Sequence, residues 1–315
     1  MDAKPDLLML GPYNDPEMAM LAERFTLHRL WEAADRDAAL ARLAPGLRAV
    51  ATKGEIGADA GLMDSLPKLE IVACYGVGVD AIDLGRAKAR GVRVTNTPDV
   101  LTEDVADMAW ALLLAAARRI PAGDAHVRNG AWAGRGAMEM TTRVWGKRLG
   151  VVGLGNIGRA VAKRAEGFGM RIAYSGRGRK EGSPYDWHPD PASLAAASDM
   201  LVVCAQGGPA TKGLVGAKAI AALGPAGILV NVSRGTVVDE AALLDALENG
   251  RLAAAGLDVF LNEPRIDQRF LSLENVVLQP HNSSGTRETR MAMAELVRDN
   301  LLAHFAGKPP LTPVA

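Results

Sequence analysis

The run Lys147-Arg148-Leu149-Gly150-Val151-Val152-Gly153-Leu154-Gly155-Asn156-Ile157-Gly158-Arg159 decides how this chain is read. An apolar, strand-like segment opens straight into Gly153, Gly155 and Gly158, the G-x-G-x-x-G spacing of a dinucleotide-binding turn. Glycine is needed at each place for a different reason: the first makes a tight turn, the second lets backbone approach a pyrophosphate, and the third lets the next helix pack against the strand. That helix points its unpaired N–H groups, and the positive end of its dipole, at the phosphates. Alone, the pattern also suits an ordinary packing turn. Its surroundings favour the dinucleotide: Val161, Ala162, Ala165 and Phe168 fall at helical spacing, Gly167 and Gly169 stop the helix, and Arg171-Ile172-Ala173-Tyr174 reads as the second strand of a βαβ unit.

An NAD site expects an acidic residue about 20 positions further on, against the ribose 2′-hydroxyl. Gly176, Arg177, Gly178, Arg179 and Lys180 stand there instead, with no carboxylate between Arg171 and Lys180. Guanidinium groups match the oxygens of a 2′-phosphate, so the pattern predicts NADPH, with NADH less favoured; a merely solvated basic turn is the alternative.

At 315 residues the chain has room for two domains of ordinary size, each able to bury a core. Its 49% hydrophobic and 23% charged residues are those of a globular protein in water, and a formal net charge of zero leaves no electrostatic footprint for nucleic acid or an anionic membrane. The longest uncharged apolar run, Met108 to Ala117, is far short of the roughly 20 residues of a membrane span. The first residues lack a basic, signal-like leader, and Cys74 and Cys204 both lie in apolar runs, so a reducing cytoplasm is expected.

Before residue 100, apolar runs at 6–11, 47–52, 69–74 and 91–95 alternate with helical stretches at 16–25, 35–43, 61–66 and 84–90. Such alternation implies a parallel sheet covered by helices. A long helix is expected from Thr102, as its N-cap, to about Ile120, where Pro121 stops it; nearly apolar on every side except at Asp107, it should be buried between domains or subunits. A second α/β unit follows the glycine turn, with strands at 199–204, 227–232, 255–259 and 275–278, a helix at 239–248 and a last helix from Thr286 to Phe305.

Ligands bind at the carboxyl ends of strands in open α/β sheets, and three polar residues stand just past such ends: Arg234, Glu263 and His281. Together they suit reduction of a 2-keto acid. Arg234 clamps the carboxylate, His281 protonates the oxygen as hydride arrives, and Glu263 holds the imidazole in one tautomer. Each alone also suits a paired surface arginine, a solvated glutamate or a capping histidine. His28, His126, His188 and His304 are expected to lack such company, and no metal site is expected. A second anion cradle is expected at Cys74-Tyr75-Gly76-Val77-Gly78-Val79-Asp80, with Val77 and Gly78 gripping the substrate in an interdomain cleft; an ordinary tight turn is the alternative.

On GVGVDAIDLGRAKARGVRVTNTPDVLTEDVAD, VVGLGNIG, NVSRGTVVDEAALLDAL, AGLDVFLNEP and LENVVLQPHNSSGT, the chain resembles the D-isomer-specific 2-hydroxyacid dehydrogenase family over essentially its full length. It is most similar to the hydroxyphenylpyruvate, hydroxypyruvate and glyoxylate reductase branch. The resemblance implies two doubly wound parallel-sheet domains: a flavodoxin-like substrate domain of residues 1–98 and 286–315, and a Rossmann cofactor domain of residues 99–285. It implies catalysis by Arg234, Glu263 and His281, substrate contacts at Val77, Gly78, Arg234 and His281, and a homodimer joined through the cofactor domain. Cofactor contacts are expected at Thr102, Gly153, Gly155, Asn156, Ile157, Gly158, Gly176, Arg177, Cys204, Thr211, Val232, Ser233, Arg234, Asp258, His281 and Ser284, with Asp258 on the nicotinamide carboxamide. The chain departs from the branch at Ser283, often a glycine, and at Ala205-Gln206-Gly207-Gly208, often holding Pro-Leu; Met138 lies in a segment that reaches a neighbour's active site in related reductases. The expected activity is NADPH-dependent reduction of small 2-keto acids. An NAD-linked D-3-phosphoglycerate or D-lactate dehydrogenase and a dinucleotide-sensing corepressor scaffold are the alternatives.

Overall fold

The computed structural model describes residues 4–314. The chain forms two compact units, Met1–Leu101 with Ser284–Ala315, and Thr102–Ser283, where the sequence suggested cuts after 98 and 285.

The first unit is a five-stranded parallel sheet of β1 (Asp6–Met9), β2 (Thr26–Arg29), β3 (Ala49–Lys53), β4 (Ile71–Tyr75) and β5 (Arg93–Thr95), in the order β2-β1-β3-β4-β5. This is the flavodoxin-like doubly wound order. Helices cover both faces, so β4 is buried at every residue and reads as a continuous apolar run rather than an alternating one. Asp35, Asp59 and Asp83 each start a helix by accepting an N–H three residues on. The last helix, Arg287–Phe305, returns to this unit, with Thr286 capping it and Met293, Ala294, Val297 and Leu301 buried. β2 escaped the sequence reading because Thr26-Leu27-His28-Arg29 is a half-exposed edge strand with no apolar alternation.

The second unit is a seven-stranded parallel sheet of β6 (Arg148–Val152), β7 (Arg171–Ser175), β8 (Asp186–His188), β9 (Met200–Val203), β10 (Ile228–Asn231), β11 (Ala254–Leu257) and β12 (Val276–Leu278). Its order is β12-β11-β10-β9-β6-β7-β8, so the winding reverses between β6 and β9, the position at which a Rossmann sheet opens its ligand crevice. Strands β9, β10 and β11 are buried throughout. The short edge strand β8, with two exposed residues of three, was also missed.

The long helix runs Thr102–Arg118, with Thr102 as its first helical residue rather than its cap. It buries Val105, Ala109, Trp110, Leu112, Leu113 and Ala116, and Trp110 stacks on Phe168 at 4.4 Å while its indole N–H donates to the Val161 carbonyl at 3.0 Å. Much of its apolar surface is therefore covered within its own unit, a correction to the expectation of burial between domains or subunits. Arg119 then turns left-handed and Pro121 lies in the first turn of a new helix, Ile120–Arg128, where its missing N–H leaves no bond unmade. Proline here starts a helix as well as ending one.

The turn between β6 and the helix Asn156–Gly167 is set by contact between backbones. A Cβ on Gly158 would lie 2.1 Å from the Gly153 carbonyl oxygen. Gly153 itself has φ +94 and donates its N–H to Ser175 at 2.8 Å, tying the turn to the end of β7. Replacing Gly158 with Ala should shift the urea unfolding midpoint down by the equivalent of about 1–3 kcal/mol, the usual cost of overpacking a rigid contact. An unchanged midpoint would mean that the helix moves away freely.

Candidate active site

Asn231, the last residue of β10, is 2% exposed and spends its side chain on the loop that follows. Its Nδ2 donates to the Arg234 carbonyl at 3.0 Å and its Oδ1 accepts the Ser233 N–H at 3.1 Å. Ser233 Oγ accepts the Arg234 N–H at 2.6 Å, and the Arg234 guanidinium donates back to the Ser233 carbonyl at 2.9 Å. The next residue has to be glycine, because a Cβ on Gly235 would lie 2.0 Å from the Phe260 carbonyl carbon. That close approach joins the loop after β10 to the loop after β11.

The β11 loop carries the acid. The Phe260 N–H donates to Glu263 Oε1 at 2.8 Å, and Glu263 Oε2 lies 2.6 Å from His281 Nδ1. The side chains are 30% exposed at His281 and 26% at Glu263, so the pair is shielded but reachable. Burial pushes the Glu263 carboxyl up, but the His281 hydrogen bond and charge, the Phe260 N–H and the nearby Arg234 charge outweigh it and hold the group below the ordinary glutamate value. With Nδ1 bonded to the carboxylate, Nε2 is the ring nitrogen left for chemistry.

His281 is held in the left-handed region, φ +51, with its N–H on the Asp258 carbonyl at 2.8 Å. The Asp258 carboxylate, 1% exposed, accepts the Asn282 N–H at 2.7 Å, the Ser283 N–H at 3.1 Å and the Ser283 hydroxyl. No local sequence pattern marks Asn231 or Ser283 as a holder of this loop geometry; the partner of Ser283, Asp258, lies 25 residues away on a loop that only the folded sheet brings to it.

In the glycine turn, Gly155 caps the helix that opens with Asn156, Ile157 and Gly158. Gly176 and Arg177 follow β7 and are exposed, and the turn is anchored by the Tyr174 hydroxyl, which accepts the Lys180 N–H at 2.6 Å. Arg177 and Arg179 have no ion pair or hydrogen bond among the described residues. Cys204 follows β9, and burial pushes its thiol up to about 12. The Thr211 hydroxyl donates to the Gln206 carbonyl at 2.6 Å, bracing the loop of Ala205 to Gly208. Val232 and Ser233 are buried past β10, and Thr102 opens its helix. Val77, Gly78 and Ser284 belong to the other unit, where the Val77 carbonyl accepts from Asn96 at 2.9 Å.

One expectation about histidines is corrected. His28 lies 2.7 Å from Asp6 and His304 lies 2.9 Å from Glu70, so a carboxylate neighbour does not single out His281. What does is its place past a strand end beside Glu263, since His28 is within β2 and His304 in the last turn of a helix. Among the described residues no group of three or more His, Cys, Asp or Glu is placed to hold a metal.

A Rossmann-ordered sheet with a glycine turn at its winding reversal, and an Arg, Glu, His set past the neighbouring strand ends, is the arrangement of a dinucleotide-dependent oxidoreductase. The family model for the D-isomer specific 2-hydroxyacid dehydrogenase NAD binding domain matches residues 110–283. The chain is 50% identical over 309 residues to a hydroxyphenylpyruvate reductase of Plectranthus scutellarioides, covering 98% of each chain. It is 47% identical over 308 residues to a glyoxylate/hydroxypyruvate reductase of Arabidopsis thaliana, again covering 98% of each. The crystal structure of an NADPH-dependent glyoxylate/hydroxypyruvate reductase from Sinorhizobium meliloti, in complex with NADP and malonate, superposes with a TM-score of 0.93 at 45% identity, over 99% of this chain and 97% of that one. The chain belongs to the D-isomer-specific 2-hydroxyacid dehydrogenase family.

Because the folded Glu263 carboxyl titrates below its ordinary value, its ionised contacts stabilise the fold above the ordinary carboxylate range and are lost as pH falls through the folded value. Glu263→Gln should therefore cost about 1–2 kcal/mol near pH 7, with the deficit fading below about pH 4. Urea unfolding of both proteins from pH 3 to 7 checks the sign; a deficit constant with pH would refute it.

Proposed function

We propose that this protein is an NADPH-dependent reductase of small 2-keto acids, yielding D-2-hydroxy acids, with hydroxypyruvate or glyoxylate as first substrates and aryl pyruvates second. The 2.6 Å Glu263–His281 bond, formed where the loops after β11 and β12 meet the Arg234 loop, carries this reading. The names and cofactor of the relatives support it.

The residues present fit a phosphorylated dinucleotide. A Cβ on Gly155 would meet no protein atom within 4 Å, which leaves open the space where backbone has to approach a pyrophosphate. At the end of β7, the buried Ser175 hydroxyl has no hydrogen-bond partner among the described residues, and Arg177 beyond it makes no ion pair with any of them. Gly153 to Gly158, Gly176 and Arg177 would hold the phosphates, with Thr102, Cys204, Thr211, Val232, Ser233, Asp258 and Ser284 along the remainder. When bound, the nicotinamide supplies the hydride.

Arg234 binds the substrate carboxylate and polarises the keto oxygen. His281 gives up the Nε2 proton as that oxygen gains charge, and Glu263, bonded to Nδ1, fixes the ring so that Nε2 faces the reaction. Val77 and Gly78 supply backbone N–H groups to the carboxylate.

We further propose a homodimer joined through the cofactor unit, working in the cytoplasm. The segment after the long helix exposes Ile120, Val127, Trp132, Met140 and Trp145, and a groove of about 320 Å³ beside it is lined by Ala115, Ala116, Met140 and Val276. Five large apolar side chains exposed within residues 120–145 suit a subunit interface. Met138 is half-buried against Gly123 of its own chain. Neither cysteine forms a disulfide, and among the described residues no helix is long and apolar enough to cross a membrane.

Initial rates with glyoxylate, hydroxypyruvate, phenylpyruvate and hydroxyphenylpyruvate, each with NADPH and NADH, test the assignment; no oxidation of either cofactor would point to a sensing scaffold. His281→Ala should lower turnover by about 10² or more while NADPH still binds, as expected for a positioned general acid. Arg177→Asp should move the preference toward NADH by placing a carboxylate near the ribose, and an unchanged ratio would refute the basic turn as a phosphate site.

A further inference from the structure

We infer that Ser283 is a positioning residue for the acid-base histidine, acting through the buried carboxylate of Asp258. The inference rests on the assignment of His281 proposed above. A left-handed non-glycine residue persists only where its surroundings over-determine it, and His281 at φ +51 is such a residue. The ladder does not hold it there. The last strand-like bond on β12 runs from the Gln279 N–H to the Leu257 carbonyl at 2.8 Å, and Pro280 has no N–H to continue it.

Asp258 takes over from that point. Three consecutive residues converge on it: the His281 N–H on its carbonyl, the Asn282 N–H on Oδ1, and both the N–H and the hydroxyl of Ser283 on Oδ2. Asp258 is itself anchored, its N–H donating to the Asn231 carbonyl at 3.0 Å. The same Asn231 orders the Arg234 loop, so both functional loops hang on neighbouring strand ends.

Of the donors on the carboxylate, the two amides exist whatever the side chains are. The hydroxyl is particular to serine at this position. With Ser283 7% exposed and Asp258 1%, water has little access to replace it. Without that bond Oδ2 keeps one amide donor, and the turn is freer to relax toward the more populated negative-φ region, carrying Nε2 away from its aim. Small misplacements of a catalytic group cost turnover more than binding.

The experiment compares Ser283→Ala with Ser283→Thr, which keeps the hydroxyl, in the full-length protein. For Ser283→Ala we expect kcat with hydroxypyruvate to fall about tenfold while the NADPH Kd changes by less than about twofold, and the ¹⁵N resonances of the His281 ring to shift. Ser283→Thr should restore most of both. A Ser283→Ala enzyme with wild-type kcat and ring resonances overturns the inference, even if it melts at a lower temperature. Should both variants fail to fold, hydrogen exchange in the wild-type protein decides: slow exchange of the Asn282 and Ser283 amides together with a slowly exchanging Ser283 hydroxyl proton supports the clamp, and a hydroxyl proton that exchanges as fast as one open to solvent overturns it. If the wild-type protein oxidises no NADPH with any keto acid, the functional assignment fails, whereas ring resonances and amide exchange still judge the clamp.

Discussion

The glycine turn, Arg234, Glu263 and His281 all depend on one constraint, the common direction of the seven strands in the larger sheet. Parallel hydrogen-bond ladders join β12 through β8 without an antiparallel pair, so all carboxyl ends emerge along one edge. Parallel strands need long crossovers, and helices supply them on both faces, which is why the central strands are buried from end to end. The edge then collects the glycine turn after β6, the basic turn after β7, Arg234 after β10, Asp258 and Glu263 after β11, and His281 after β12. The reversal between β6 and β9 separates the helices there and leaves the glycine turn open.

The polar groups at this edge are spent on holding one another rather than on stability alone. Asn231 and Asp258 are among the most buried polar side chains of the unit, and each satisfies backbone polar groups of a loop that has left the ladder. Burying them is tolerable only because they are bonded in this way. Their reward is local rigidity: Arg234 follows a loop tied at three points, and His281 follows a turn that would otherwise relax. Glu263 stands in the opposite situation, partly buried yet ionised, because an amide, an imidazole and a guanidinium charge surround it.

The smaller unit uses the same logic to bring the end of the chain home. The Tyr75 hydroxyl, at the end of β4, lies 3.0 Å from the Arg290 carbonyl of the last helix and 3.1 Å from Glu17, and its ring stacks on Tyr13 at 4.1 Å. The Arg290 guanidinium sits over the same ring at 5.7 Å. Asn300 adds two bonds to Thr312, which in turn donates its hydroxyl to the Asn96 carbonyl at 2.6 Å. Residues from the first helix and the last thus meet on one tyrosine ring.

Much of this was legible without coordinates. Apolar runs of strand length alternating with helical spacing imply parallel sheets, the three glycines mark the turn, and polar residues just past strand ends mark the catalytic candidates, because each of these is a local pattern written within a few residues. The edge strands β2 and β8 were not legible, since half-exposed strands carry no apolar alternation. Nor were the partners of His28 and His304, which lie 22 and 234 residues away, nor the clamp between Asp258 and Ser283, 25 apart. The amino-acid order by itself determined the buried strands, where the dinucleotide turn falls and which residue types stand at the strand ends. Only the tertiary structure decided which of those ends are neighbours, and hence that Asp258 holds the turn bearing His281, because strand order is settled by the packing of whole sheets and not by any one segment's sequence.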